Sequence, residues 1–245
     1  MSTDFDAALR AVEGVEGWLS DAQARRLWDR ARAAGPTARV VEIGSYRGRS
    51  AIVLAHATGG EVVAIDPHAG NDRGPRQIHG TAGEGEADNS AFRANLERAG
   101  VAERVRHVRR PSAEALGEVE GALDLLYVDG AHRYGPARED LDRWSALVAH
   151  GGALLVHDAF SSVGVTLAIA RLLVGGARFR YAGRTGSLAE YRREDLGAGA
   201  RVANAARQLA ELPWFARNLL VKLALVLHAR PVARALGHRS GPWPY

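Results

Sequence analysis

The sequence contains no cysteine, and this absence excludes disulfide bonds, thiolate metal sites and a cysteine nucleophile. The first residues, MSTDFDAALRAVEG, are acidic and lack an apolar segment, so we expect no signal peptide there. Both absences fit a reducing compartment, and we expect a cytoplasmic protein. A nucleic-acid recognition motif is also missing, and few aromatic residues are interleaved with the basic ones, so no nucleic-acid partner is predicted.

Long apolar runs are absent as well. The strongly apolar part of the tail, residues 219–229, is interrupted by Lys222 and His228 and is shorter than the roughly 20 residues of a membrane span. Residues 201–245 hold seven basic residues and one acid, a net charge of +6, whereas the whole chain carries +4. Two interpretations remain open. The tail forms a helix between Pro213 and Pro231 that packs on the domain or in a homo-oligomer interface, or it lies at the surface of an anionic membrane.

Strand-like runs alternate with helical patterns along the chain, which is typical of a parallel α/β sheet. Two later runs predict a hairpin that turns at residues 184–186. We predict that the helix after the fourth run ends at Gly151–Gly152, and that 67–89 is a long loop over a site. The predicted strands are 38–43, 61–66, 104–109, 123–129, 152–158, 178–182 and 187–191.

The stretch EIGSYRG ends the first run with an acid and two glycines. In open α/β sheets, ligands lie at the carboxyl ends of the strands, so Glu42 and Asp66 stand near a candidate site. Asp66 is placed to accept hydrogen bonds from ribose hydroxyls. The stretch contains Gly44 and Gly48 but not the third glycine of the dinucleotide fingerprint. This absence favours a nucleoside without phosphates, such as S-adenosylmethionine.

A second group of polar residues follows two later strands. YVDGAHRY places Asp129 and His132 beyond the fourth run, and LLVHDAF places His157 and Asp158 at the end of the fifth. If the two strands are neighbours, both carboxylates converge, and such oxygens suit Mg²⁺. His132 is then the predicted base, and His157 a further ligand or a partner of a ligand. The alternative is that the acids cap turns and the histidines are structural.

These motifs together resemble class I S-adenosylmethionine-dependent methyltransferases over about residues 15–192. The branch they resemble is the metal-dependent O-methyltransferases of sugars and natural products, including macrolide-sugar enzymes. The resemblance implies a Rossmann-like three-layer α/β sandwich with a seven-stranded, mostly parallel sheet. Its antiparallel seventh strand would come from the hairpin at 178–191. We expect the methyltransferase domain to cover 1–195, with N-terminal helices at about 5–34 and a basic helical extension at 196–245.

The resemblance also implies roles for individual residues. Asp129, His132 and His157 would be catalytic, and Asp129, His157 and Asp158 would hold the metal. One departure is His157–Asp158, where the macrolide-sugar enzymes have two aspartates. The implied contacts of S-adenosylmethionine are Glu42, Gly44, Ser45, Gly48, Ser50, Asp66, Pro67, His68, Ser112, Ala113 and Asp129.

We therefore predict methyl transfer to a hydroxyl of a sugar or glycosylated small molecule, assisted by Mg²⁺ and a histidine base. The 67–89 segment offers polar groups for such an acceptor. Three alternatives remain: a metal-independent O- or N-methyltransferase, a nicotinamide-dependent oxidoreductase, and a catalytically silent nucleoside-binding module. The polar groups of the segment are His68, Asn71, Asp72, Arg73, Arg76, Gln77 and His79.

Overall fold

The computed structural model describes residues 4–70 and 82–238. The strands are β1 Val40–Ile43, β2 Val62–Ile65, β3 Val105–Val108, β4 Leu123–Val128, β5 Val148–Val156, β6 Phe179–Thr185 and β7 Leu188–Arg193. The helices are α1 Phe5–Ala11, α2 Asp21–Ala34, α3 Arg49–Ala57, α4 Ala82–Arg98, α5 Tyr134–Ser145, α6 Val163–Ile169, α7 Ala198–Leu209, α8 Leu212–Val226 and α9 Arg230–Ala235.

All seven strands belong to one sheet, in the order β3-β2-β1-β4-β5-β7-β6. The first five are parallel, and β7 runs antiparallel to both β5 and β6. This topology confirms the predicted Rossmann-like sandwich and its antiparallel seventh strand. Because β1 lies between β2 and β4, and β5 pairs with β4, the predicted polar strand ends all meet at one edge of the sheet.

Apolar layers cover both faces of the sheet, as expected for parallel strands whose side chains are buried on both sides. Val40 and Val62 face the layer built with α1, α2 and α3. Val41 and Val63 face the opposite layer, which contains α5 and α6. We call these the first and second layers. Their packing fixes the strand register and therefore the positions of the strand ends.

Gly44 explains why glycine follows the first strand. Its φ is +87°, in the left-handed region that glycine tolerates best. A Cβ atom on Gly44 would lie 2.2 Å from the carbonyl oxygen of Asp129, which is inside contact distance. Gly48, with φ of +88°, directly precedes α3, and a Cβ atom there would lie 3.2 Å from the ring of Phe92. Glycine therefore brings the β1 loop directly against the end of β4.

Two predicted boundaries are wrong. Helix α5 ends at Ser145 rather than at Gly151–Gly152, because Val148 already pairs with Leu123 of β4 and begins β5. Helix α4 begins at Ala82, so the irregular segment predicted for 67–89 is shorter than expected. Six of the polar residues proposed for the acceptor lie at 71–79, outside the described residues.

The C-terminal helices pack against the sheet through buried polar side chains. The amide of Asn204 accepts from the backbone N–H of Tyr181 at 2.7 Å and donates to the carbonyl of Phe179 at 3.0 Å.

Pro213 lies at the start of α8, as predicted, but Pro231 begins α9 instead of ending α8. Within the described residues, no helix has both the length and the apolar character required to span a membrane.

Candidate active site

A cavity of about 670 Å³ opens at the carboxyl ends of β1, β2 and β4. We call it the edge cavity. Its volume falls within the range of small-molecule sites in proteins. Seven of the eleven predicted cofactor contacts line it, namely Gly44, Asp66, Pro67, His68, Ser112, Ala113 and Asp129.

Asp66 organises the loops that follow β1 and β2. Its two carboxylate oxygens accept hydrogen bonds from the backbone N–H groups of Tyr46 and His68, each at 2.8 Å. Both donors have positive φ values, 45° and 46°, which non-glycine residues adopt rarely and mostly at functional sites. The hydrogen bonds to Asp66 hold this backbone in place, and the carboxylate still faces the edge cavity.

Asp129, His132, His157 and Asp158 come together beyond β4 and β5, and we call them the acid–histidine centre. His132 Nε2 lies 2.6 Å from Asp158 Oδ2, and His157 Nδ1 lies 3.2 Å from Asp129 Oδ1. The Tyr127 hydroxyl donates to Asp129 Oδ2 at 3.0 Å. The two predicted carboxylates thus converge. Asp129 also lines the edge cavity, so it joins the two parts of the site.

The backbone around the centre is held in unusual conformations. Asp158 and Phe160 have φ values of 55° and 54°, in the left-handed region. Strained positions of this kind persist where the surrounding structure over-determines them, and they cluster at active sites. Ser162 donates its hydroxyl to the carbonyl of His132 at 3.3 Å, and Gly164 lies so close to that carbonyl that a Cβ atom would be 2.2 Å from it. The start of α6 therefore positions His132.

Glu42 does not reach the edge cavity. It is fully buried and accepts a hydrogen bond from the Ser50 hydroxyl of α3. The pKa of Glu42 is raised to about 8, mainly by burial and in smaller part by the charges of Asp129 and Asp66, and the Ser50 hydrogen bond opposes the rise. The strand register explains its position, because Glu42 shares the face of Val40 and therefore points towards α3.

Three further predicted cofactor contacts, Ser45, Gly48 and Ser50, also lie outside the lining of the edge cavity. Ser45 and Ser50 are buried beside Glu42. Direct contact between the cofactor and any of these residues, including Glu42, remains a prediction.

Asp140 of α5 was missed by the sequence analysis. It lines the edge cavity, is almost fully buried and accepts a hydrogen bond from the Ser112 hydroxyl. Burial raises the pKa of Asp140 to about 6, although the bond to Ser112 lowers it. Trp144 Nε1 donates to the carbonyl of Ser112 at 3.2 Å, which fixes the loop after β3. The sequence did carry a signal for Asp140, because it is an acid on the apolar face of α5, between Ala137 and Leu141.

Solved structures with the same fold include several methyltransferases. The SAH-bound methyltransferase PaMTH1 of Podospora anserina has a TM-score of 0.57 and 20% identity, covering 78% of this chain and 88% of that one. The O-methyltransferase of Bacillus cereus with SAH has a TM-score of 0.55 and 17% identity, covering 79% and 92%. TomG of Streptomyces achromogenes, an O-methyltransferase involved in tomaymycin synthesis and solved with SAM, has a TM-score of 0.52 and 20% identity, covering 80% and 91%. At these identities the likeness shows the fold.

A sequence model described as a methyltransferase domain matches residues 41–159, from β1 to just beyond Asp158. This region contains both the edge cavity and the acid–histidine centre. Residues 41–159 therefore form a methyltransferase domain, on the fold that S-adenosylmethionine-dependent methyltransferases share. The prediction of a methyltransferase is confirmed, in preference to a nicotinamide-dependent oxidoreductase or a silent nucleoside-binding module.

The residues of this methyltransferase fit the nucleoside that the fold implies. Asp66 presents a carboxylate to the cavity where ribose hydroxyls can donate hydrogen bonds, and the backbone at Gly44 leaves room for close approach. Ser112 and Ala113 line the part of the cavity after β3, where the resemblance placed the adenine. Asp129 belongs both to the lining of the edge cavity and to the acid–histidine centre, so the two parts of the site adjoin.

The raised pKa of Glu42 predicts how the stability of the methyltransferase depends on pH. Its folded-state pKa, about 8, exceeds the ordinary value of 4.5, so the folded state holds a proton that the unfolded state releases. The free energy of unfolding of the wild type should therefore fall relative to Glu42→Gln as pH rises from about 4.5 to about 8. The expected change is on the order of a few kcal/mol.

Urea denaturation of wild type and Glu42→Gln at about pH 5 and about pH 8 measures this difference. Glu61→Gln, at an exposed carboxylate, is the matched control and should show much the same difference from wild type at both pH values. An equal stability difference between wild type and Glu42→Gln at both pH values would show that Glu42 is ionised in the folded protein.

Proposed function

We propose that the protein transfers a methyl group from S-adenosylmethionine to a hydroxyl of a sugar or glycosylated small molecule, with Mg²⁺ assistance and a histidine base. The observation that carries the proposal is the convergence of two carboxylates and two histidines beside a cavity that fits the nucleoside. Methyl transfer to oxygen needs alignment of the acceptor and removal of its proton, and the acid–histidine centre has groups for both tasks.

The donor set of the centre fits a hard divalent cation. Asp129, His132 and Asp158 each offer one ligand atom, and these three atoms lie within 4.8 Å of one another. Asp129 and Asp158 would hold Mg²⁺ through carboxylate oxygens, which such ions prefer. When bound, the ion would lower the pKa of the acceptor hydroxyl and orient it. His157, almost fully buried, lies within 3.8 Å of both carboxylates and would serve as a third ligand or fix their orientation.

His132 is the proposed base. Its ring is partly exposed, and Nε2 faces Asp158 at 2.6 Å, so the proton would be taken at Nδ1. The Asp158 carboxylate would stabilise the imidazolium that forms. As the hydroxyl proton passes to His132, the acceptor oxygen forms a bond to the methyl carbon and the carbon–sulfur bond breaks, with its electron pair remaining on sulfur.

The acceptor class rests on different support. The likeness to TomG favours a natural-product acceptor, and the resemblance of the motifs favours a sugar.

We also propose a cytoplasmic location and a homo-oligomeric state, both inferred from the sequence. A metal-independent O- or N-methyltransferase is the alternative, and the departure from two aspartates at His157–Asp158 is the observation that favours it.

Removal of divalent cations should abolish most of the activity. Transfer of labelled methyl groups from S-adenosylmethionine to a panel of sugars and glycosides should fall at least about 100-fold in EDTA and recover with Mg²⁺. Calorimetric titration supplies a second readout, since Mg²⁺ should bind the wild type and not Asp158→Asn. Unchanged turnover in EDTA would establish the metal-independent alternative.

Replacement of the proposed base should affect the rate and not the cofactor affinity. His132→Gln should lower kcat by about 100- to 10,000-fold while leaving the Kd for S-adenosylmethionine unchanged, because the edge cavity is not lined by this side chain. His150→Gln, at an exposed histidine near the amino end of β5, opposite the end that carries the site, is the control and should retain wild-type kinetics. Wild-type turnover in His132→Gln would remove that residue from the mechanism.

A further inference from the structure

Helix α8 exposes an apolar face. Most surface helices direct charged or polar side chains outward. On α8, by contrast, the outward side chains are aliphatic and recur largely at intervals of three and four residues, and Val232 of α9 is exposed as well. The exposed fractions are 46% for Leu212, 52% for Leu220, 54% for Leu223, 63% for Val226, 66% for Leu227 and 53% for Val232. We call these six residues the aliphatic face.

Other sides of α8 are also apolar but are covered within the chain. Val221 and Ala224 are buried in a small cluster with Ala233 of α9, whereas Trp214 and Phe215 pack against the second layer of the core. The helix therefore has apolar residues on its covered and its exposed sides, and only the covered sides are used for packing within the chain. Exposed apolar surface of this extent on a folded protein marks a docking surface.

The charged residues in the sequence of α8, α9 and the following tail have one sign. Residues 212–245 contain five basic residues and no acid. Arg230 and Arg234 are exposed on α9, beside Val232. The nearest preceding acid, Glu211, is paired with Arg184 at 2.7 Å and accepts from the Tyr181 hydroxyl. No described carboxylate of α8 or α9 offsets the positive charge, which is complementary to an anionic surface.

The docked side of α8 touches the backbone that follows Asp158. Asn218 donates to the carbonyl of Phe160 at 3.0 Å, and Lys222 donates to the carbonyl of Ser161 at 2.9 Å. Burial lowers the pKa of Lys222, and the charge of Asp158 raises it, so this ammonium group lies within electrostatic range of the centre. The helix that carries most of the aliphatic face therefore contacts the segment that directly follows Asp158.

We propose that the aliphatic face of α8 and α9 docks on an anionic lipid bilayer, with its leucine and valine side chains in the interface and Arg230 and Arg234 at the headgroups. This is the arrangement of a basic amphipathic helix at a membrane surface. Docking would place the acid–histidine centre close to the bilayer. The inference goes beyond the proposed methyl transfer and does not depend on its outcome.

A second copy of the chain fits the aliphatic face less well. Two such faces in contact would bring the exposed arginines of both copies together without a carboxylate from α8 or α9 to neutralise them. An anionic bilayer neutralises them all. A homodimer is therefore the competing result of the experiment.

Cosedimentation with vesicles tests the proposal. The wild type should bind vesicles of phosphatidylcholine mixed with phosphatidylglycerol, and much less those of phosphatidylcholine alone. Leu220→Glu combined with Leu223→Glu should weaken binding at least about tenfold. Ala22→Glu combined with Ala33→Glu is the charge-matched control, since both alanines are exposed on α2, across the sheet, and should bind as wild type.

A second variant keeps the aliphatic face intact. Arg230→Gln combined with Arg234→Gln should weaken binding to the anionic vesicles while leaving thermal unfolding unchanged. If the variant with Leu220→Glu and Leu223→Glu, the leucine variant, bound anionic vesicles as strongly as the wild type does, the proposal would be overturned. So would absence of wild-type binding together with a change from dimer to monomer in the leucine variant by sedimentation velocity, which would assign the face to a second copy. Methyl transfer to a soluble glycoside should be unaffected by either double variant, which separates this test from that of the proposed function.

Discussion

The convergence of Asp129 and Asp158 at the ends of two neighbouring strands is the interaction on which the site depends. Carboxylates are costly to bury without partners, and here the partners are His157 and His132, at 3.2 and 2.6 Å respectively. The pairing of β4 with β5 brings the four groups together, and the left-handed backbone of Asp158 directs its side chain inward. The chemistry therefore follows from the order of the strands in the sheet.

Close packing links this centre to the edge cavity. Gly44 lies against the carbonyl of Asp129, so the loop after β1 and the end of β4 share one position, and any side chain at 44 would separate them. Asp66 fixes the neighbouring loops through two backbone hydrogen bonds. On the other side, Asn218 of α8 holds the segment after Asp158. Each wall of the site is thus held by a contact between elements distant in sequence.

Much of this arrangement was predictable from the sequence. Strand ends carry a strong signal, because an acid after a buried apolar run has no packing role, and this signal located Asp66, Asp129 and Asp158. The position of Glu42 was harder to predict, since it depends on which face of β1 the side chain takes, and that register is set by tertiary pairing. Asp140 was missed because it lies within a helix. The outward face of α8 was unpredictable for a simpler reason: both of its faces are apolar.

The central claim is that the two carboxylates share one divalent cation beside the nucleoside. Crystals grown with SAH and soaked in Mn²⁺ test it directly by anomalous diffraction. The account predicts a manganese peak about 2.1 Å from an oxygen of Asp129 and from an oxygen of Asp158, next to the sulfur of SAH. A map without a peak there, or one in which the two carboxylates point away from each other, would contradict it.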